Sequence, residues 1–201
     1  MSLRAFLFVA PVAALLAGCG YDTVPDPSLS GRDADFLAVV PKFDVPYDYH
    51  RFKVDDPTGE PAGTIVVDTS HKYLYYVLPN KKAIRYGVAV GSEAAGWTGT
   101  ATINRKAEWP RWMPPSDMLE RWPHLKPTAD AGGLPGGPDN PLGSRALYLF
   151  QGNKDTLYRI HGTNEPDKIG QNVSSGCIRM TDLDVIDLYN RVPVGTKVIV
   201  K

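Results

Sequence analysis

Thr156-Leu157-Tyr158-Arg159-Ile160-His161-Gly162-Thr163-Asn164 is followed in the chain by Val173-Ser174-Ser175-Gly176-Cys177-Ile178-Arg179-Met180 and then by Thr181-Asp182-Leu183-Asp184-Val185. The first piece alternates in character and reads as a strand that delivers His161 at its end. The last opens the one strong helix of the chain. Thr181 with Asp184 three residues on has the form of a capping box, with Asp in place of the usual Glu, and Met180 with Val185 is spaced for a hydrophobic staple. Val185, Tyr189 and Val192 fall at i, i+4 and i+7 on one helical face, and Pro193 and Gly195 stop the helix. Cys177, reached 15 intervening residues after His161, is therefore expected in a small polar loop between a strand and an anchored helix.

Outward from this run the pattern is short strands. Ile65-Val66-Val67 and Lys72–Leu78 are rich in β-branched and aromatic residues, and Pro79-Asn80 makes a turn that would pair Lys72–Leu78 with Ala83–Val90 as a hairpin. Ala101-Thr102-Ile103, Ala146–Phe150 and Lys197–Val200 are further strand candidates. With 19 glycines and 18 prolines along 201 residues, the expected fold is mostly β, a sandwich or barrel with one main helix after the cysteine. Glu108–Gly143 is a long segment dense in tryptophan, proline and glycine. A segment of this length inside a compact domain is usually functional or disordered, and its aromatic content favours an ordered flap. Trp109 and Trp112 are then candidates for touching a substrate; the alternative is an excursion that packs its own tryptophans.

The N-terminus bears on where the chemistry happens. Arg4 precedes an apolar stretch, Ala5–Leu16, of signal-peptide length, too short to span a bilayer comfortably. It runs into Leu16-Ala17-Gly18-Cys19, which resembles the lipobox of bacterial lipoproteins; an ordinary secretory signal with an incidental cysteine is the alternative. The expected division is a leader over residues 1–18, a lipidated Cys19 with tether and N-terminal extension over 19–60, and a catalytic domain over 61–201. Gly20–Gly31, with Pro25 and Pro27, reads as a tether that could reach roughly 40 Å if extended. The protein would face the periplasm, with Gly20 after Cys19 favouring the outer membrane. Two cysteines in an exported chain suggest a disulfide, but acylation of Cys19 would leave Cys177 alone. Formal net charge is zero and no basic stripe appears, so nucleic-acid binding has no support. No second apolar segment is long enough to cross a membrane.

Cysteine reacts as its thiolate, and an imidazole can take the thiol proton. Cys177 and His161 are the candidate nucleophile and base. Gly162 lets the backbone approach the histidine closely, and Gly176 exposes backbone amides that could hold an oxyanion. A buried cysteine would ordinarily sit among apolar neighbours, unlike Ser174, Ser175, Gly176 and Arg179. Arg179 could clamp a substrate carboxylate or be a surface cation. A zinc site has no ligand spacing to support it, because His50, His71 and His124 are scattered.

From about Thr64 to Lys201 the chain resembles the catalytic domain of the L,D-transpeptidases, the YkuD-like peptidoglycan enzymes. The resemblance rests on His161-Gly162-Thr163-Asn164, Ile169-Gly170, Ser174-Ser175-Gly176-Cys177-Ile178-Arg179-Met180, the helix with Asp182–Tyr189, Pro193–Val198, Asp139–Gly143 and Gly99–Ile103. It implies Cys177 as nucleophile, His161 as general base and acid, and the Gly162 carbonyl as the group that orients the imidazole. Ser174, Ser175, Asn164 and Arg179 fall on or beside the signature and are candidates for substrate binding. Ser175 stands where many relatives carry histidine or asparagine, and Trp97-Thr98-Gly99 where a Pro-Thr-Gly is common.

The implied reaction needs no metal or organic cofactor. Cys177 would attack the carbonyl of the third residue of a peptidoglycan stem tetrapeptide, releasing the terminal D-alanine, and an amine of another stem would take the acyl group in a 3→3 cross-link. Water as acceptor would make the protein an L,D-carboxypeptidase, a lysine of an envelope lipoprotein would make it an anchoring enzyme, and a free D-amino acid an exchange enzyme. A non-catalytic peptidoglycan-binding lipoprotein is the reading from another class. The sequence sets no oligomeric state.

Overall fold

The computed structural model describes residues 21–91, 97–173 and 176–201. The leader expected over 1–18, the lipidation expected at Cys19 and the Ser174–Ser175 pair lie outside these residues. In chain order the elements are β1 (Asp22–Thr23), α1 (Gly31–Leu37), β2 (Phe52–Asp55), β3 (Ile65–Asp68), β4 (Tyr73–Leu78), β5 (Lys82–Gly87) and β6 (Ala89–Gly91). They continue with β7 (Gly99–Glu108), α2 (Ser116–Arg121), α3 (Lys126–Asp130), β8 (Arg145–Gln151), β9 (Lys154–His161), β10 (Asn172–Val173), β11 (Ile178–Arg179), α4 (Asp182–Arg191) and β12 (Lys197–Val200).

The strands form one mostly antiparallel sheet in the order β1-β2-β5-β4-β3-β12-β7-β8-β9-β11-β6-β10. Its curvature is set by one bent strand. The hairpin expected between Lys72–Leu78 and Ala83–Val90 is present, with Asn80 and Lys81 both at left-handed φ (62° and 55°) in the turn. The second arm breaks at Val88: β5 pairs with β4 and β2, whereas β6 pairs with β11 and β10. A single residue separates β5 from β6 in the chain, yet seven strands lie between them in the sheet order. The sheet must therefore curl round until its two sides meet. Ile84, Tyr86, Val88 and Val90 from this bent strand share one core with Ile65, Leu147, Ile160, Ile178 and Val198.

Helix α4 closes that core. Val185, Leu188 and Val192 are buried in it, together with Met180 of the staple. The Thr181 Oγ1 accepts the Asp184 N–H at 3.2 Å, the N-cap contact the sequence predicts, of a kind that stabilises by about 1 kcal/mol. The reciprocal half of a capping box is replaced: the Asp184 carboxylate accepts from Arg51 at 2.9 Å instead. The Tyr86 hydroxyl donates to Asp187 at 2.7 Å, tying the helix to the bent strand.

From Asp22 onward, the region read as tether and extension is packed on this frame. Asp22 and Thr23 pair with Lys53 and Phe52, and Arg51 donates to the Val24 and Pro25 carbonyls and to Asp26. So from Asp22 onward the stretch is fastened to the domain. The ring of Tyr49 lies against Gly170, and its backbone and Cβ against Gly87, where a side chain on either glycine would collide with it. The segment from Trp109 to Gly143 is an ordered flap carrying α2 and α3. Trp112 pairs with Leu134, and the Asn140 amide donates to the carbonyls of Pro110, Leu134 and Pro135 at 3.0, 3.2 and 2.9 Å.

Candidate active site

His161 ends β9, and Cys177 immediately precedes β11. These two strands run parallel, with Ile178 level with Ile160 and Arg179 level with His161. The Met180 N–H donates to the His161 carbonyl at 2.9 Å and extends the ladder. Side chains alternate across a strand, so Ile160 and Ile178 enter the core while His161 and Arg179 project from the other face. One step back in the same register brings Cys177 level with Arg159 and onto the face of His161. The Cys177 carbonyl also accepts the Gly91 N–H at 3.1 Å, so its backbone is held from β6 as well. Cys177 is a thiol, partly exposed, and the thiol and the imidazole thus lie on one face of adjacent strands.

The histidine is fixed in orientation and in charge. Its Nδ1 lies 2.6 Å from the Gly162 carbonyl oxygen. A carbonyl can only accept, so Nδ1 carries the proton and Nε2 keeps its lone pair. The ring is almost fully buried. Burial, with the positive charges of Arg179 and Arg159 beside it, drives its pKa down to about 3, against the smaller upward pull of the Gly162 hydrogen bond. At neutral pH the imidazole is an uncharged acceptor, the form a general base requires.

Gly162 is itself clamped. Its N–H donates to the Arg145 carbonyl at 3.0 Å. On its other side stands the carboxylate of Asp182, the first residue of α4, whose Oδ1 accepts the Ser144 N–H at 2.7 Å. A Cβ on Gly162 or on Gly143 would collide with Asp182 Oδ1. Burial pushes the Asp182 carboxyl up, opposed by the Ser144 hydrogen bonds.

The remaining candidates are placed as follows. Gly176 adjoins Cys177 in the bend ahead of β11. Arg179 donates to Glu165 at 2.7 Å, so its guanidinium already holds a carboxylate. The Asn164 amide is exposed and donates to the Asp139 carbonyl at 3.2 Å. Trp109 is 5% exposed, and its indole N–H donates to Asp33 of α1 at 2.8 Å while Phe36 packs edge-on to its ring at 4.8 Å. Its ring is thus engaged by the extension and turned from solvent. Trp112 is partly exposed on the flap. Among the described residues no group of three or more His, Cys, Asp or Glu side chains gathers as metal ligands, and no helix is long and apolar enough to cross a membrane.

Sequence reasoning missed Asp182 and Arg159. The second was within reach: two residues before His161 on an alternating strand, it must share the histidine's face. Asp182 gave no local signal, because an aspartate in the first turn of a helix is ordinary.

Comparison with known proteins agrees with this geometry. Residues 62–200 match the YkuD family, the L,D-transpeptidase catalytic domain. The ErfK/SrfK protein of Escherichia coli K12, described as a probable L,D-transpeptidase, is 35% identical over 137 residues, which cover 67% of this chain and 42% of that protein. The chain thus spans about two-fifths of that relative's length. A crystal structure from Brucella melitensis, described as a probable carnitine operon oxidoreductase, is 48% identical, with a TM-score of 0.53 covering 84% of this chain and 99% of that one. L,D-transpeptidase 3 of Mycobacterium tuberculosis, solved with a faropenem-derived adduct, shares the fold at a TM-score of 0.51 and 17% identity, over 69% of this chain and 59% of that one. With the family match extending over most of its length and a mostly β fold that sets His161 at the end of β9 and Cys177 just ahead of the adjoining β11, this chain belongs to the YkuD-type L,D-transpeptidase catalytic domain family.

Proposed function

We propose that the protein is a peptidoglycan L,D-transpeptidase in which Cys177 is the nucleophile and His161 the general base and acid. The observation that carries this reading is the His161 ring: its Nδ1 proton is directed to the Gly162 carbonyl, leaving a neutral Nε2 on the face that also bears the Cys177 thiol. Sγ attacks the carbonyl carbon of the third residue of a stem tetrapeptide and its proton passes to Nε2. The new S–C bond makes a tetrahedral oxyanion, which the backbone amides at Gly176 and Cys177 hold. The C–N bond to the terminal D-alanine then breaks as His161 returns the proton to the leaving amine. An amine of a second stem adds to the thioester, His161 removes its proton, and the thiol is released as the 3→3 amide forms.

Stem peptides are the partners this reading requires, and it needs no cofactor. Lipidation at Cys19 and a periplasmic location, tethered to the outer membrane, complete it. The packing of the chain from Asp22 onward supports a domain held close to its anchor, because only Gly20 and Tyr21 stand between Cys19 and β1. The test is incubation of the purified protein with disaccharide tetrapeptides followed by mass analysis. Tetrapeptide–tripeptide dimers linked 3→3, lost on Cys177→Ala, are the expected product. Tripeptide alone identifies water as acceptor, and no conversion contradicts the assignment.

A further inference from the structure

We infer that Arg105, Tyr148 and Arg159 form a carboxylate-binding row that engages a free carboxylate of the acyl-donor peptide, upstream of the bond that is cut. The inference rests on the acyl-transfer reading of Cys177.

The three residues stand side by side on adjacent strands. Arg105 on β7 is level with Tyr148 on β8, and Tyr148 is level with Arg159 on β9. One strand further, the register of β9 and β11 brings Cys177 to the same level. The row therefore runs straight across the outer face of the sheet to the thiol, while Leu147, Leu149 and Ile160 fill the core on the opposite face. Strands in a sheet lie about 4.8 Å apart, so three steps from β7 to β11 span roughly 14 Å. Only three stem residues lie upstream of the cut bond and cover about 10–11 Å when extended; the Arg105 guanidinium leans back to 3.6 Å from the Tyr148 ring centroid and so stands within that reach.

The chemistry of the row suits an anion. The guanidinium carbon of Arg105 lies 3.6 Å from the Tyr148 ring centroid and that of Arg159 lies 4.5 Å from it. Stacking on a ring fixes a guanidinium plane and leaves its edge N–H groups to fork onto a carboxylate. Tyr148 is 7% exposed, so its ring acts as a platform with little face left to solvent. Arg159 donates to both oxygens of Asp155, at 2.7 and 2.8 Å. Arg105 is exposed and makes no ion pair among the described residues. Two guanidiniums thus face one carboxylate, and the surplus positive charge sits at the end of the row far from the thiol. The nearer guanidinium is fixed by Asp155, which leaves Arg105 as the group that meets the incoming anion.

The test uses two synthetic stem tetrapeptides, identical except that the carboxylates upstream of the scissile carbonyl are free in one and amidated in the other. Binding is measured by calorimetry to the full chain carrying Cys177→Ala, with and without Arg105→Gln. The free-acid peptide should bind about tenfold more weakly when Arg105 is replaced, while the amidated peptide changes by less than twofold. Arg105→Lys, which keeps the charge but loses the fork, should fall between. Arg105 is exposed, so an unchanged melting temperature is expected and separates recognition from folding. Equal affinities with and without Arg105→Gln, or an equal loss for both peptides, overturns the row. Acylation of the wild-type chain is followed in parallel by mass. A wild-type chain acylated equally well by both peptides, with Arg105→Gln without effect, overturns the row alone. A wild-type chain acylated by neither overturns the acyl-transfer reading with it.

Discussion

The carboxylate of Asp182 occupies the space where a side chain on Gly162 would begin. Gly162 is the residue whose carbonyl accepts the His161 Nδ1 proton, and Asp182 is in turn held by the Ser144 N–H. The first residue of α4 thus braces the peptide that sets the tautomer of His161. A methyl group at this point must displace Asp182 or rotate the Gly162 carbonyl. Misplacements of about 1 Å cost on the order of a hundredfold in rate, and Gly162→Ala should slow acylation by about that factor and lower the melting temperature. Asp182→Asn keeps the size and an acceptor for Ser144, and should stay within a few-fold of wild type. Rates from stopped-flow acylation and a thermal melt check both. A Gly162→Ala protein with wild-type acylation would contradict the brace.

The buried histidine gives a pH dependence with a definite sign. Its pKa in the folded protein is depressed to about 3 by burial and by Arg179 and Arg159, whereas an unfolded histidine titrates near 6.5. The unfolded chain therefore binds the extra proton between about pH 6.5 and 3. His161's contribution to stability is complete above about pH 6.5 and is lost progressively as the pH falls toward 3. Urea midpoints measured over pH 7 to 4 should fall for the wild type, and fall less for His161→Gln. For the same reason His161 is still neutral at pH 5, so the acylation rate should show no inflection near 6.5.

Asp33 fastens the extension to the domain. It accepts from both terminal nitrogens of Arg145, at 2.9 and 2.5 Å, and from the Trp109 indole at 2.8 Å. Burial pushes its carboxyl up, but the hydrogen bonds from Arg145 and Trp109 outweigh that and hold it below the usual range. Arg145 is almost fully buried, so Asp33→Ala leaves a buried guanidinium without its carboxylate. The expected loss is about 3 kcal/mol. The effect should reach the flap through Trp109 and His161 through the Arg145 carbonyl that holds Gly162. Denaturant unfolding measures the first, and hydrogen exchange across residues 109–143 the second. Unchanged protection of the flap in Asp33→Ala would show that α1 does not anchor it.

The legible parts of this architecture are those where pattern and tertiary structure coincide. The strand ending at His161 and the capped helix after Cys177 were readable because their apolar positions repeat at 2 and 3.6 residues and both bury those positions in one core. The pairing of cysteine with histidine was readable because a specific run carries both. Helix α1 was not: its seven residues bury none of their own, and it is held by Asp33 and Phe36 reaching distant partners. The docking of the stretch from Asp22 to Asp26 was hidden for the same reason, since Arg51 makes contacts that fasten it. Arg105 was hidden by a bulge. Counting by twos from the buried Ile103 would put Arg105 in the core, but the register shifts between Ile103 and Arg105 and turns it to the outer face. Irregularities of that kind leave no periodic trace.

In the proposed reaction Cys177 carries the acyl group while His161 removes the thiol proton. The most direct measurement is the intact mass of the protein mixed with a stem tetrapeptide and quenched in acid, followed by peptide mapping. A thioester adduct of the donor peptide less its terminal D-alanine, located on Cys177, is the expected product. The adduct should be absent in Cys177→Ala and form far more slowly in His161→Gln. An adduct that persists in Cys177→Ala, or one that forms at the wild-type rate in His161→Gln, would contradict this reaction.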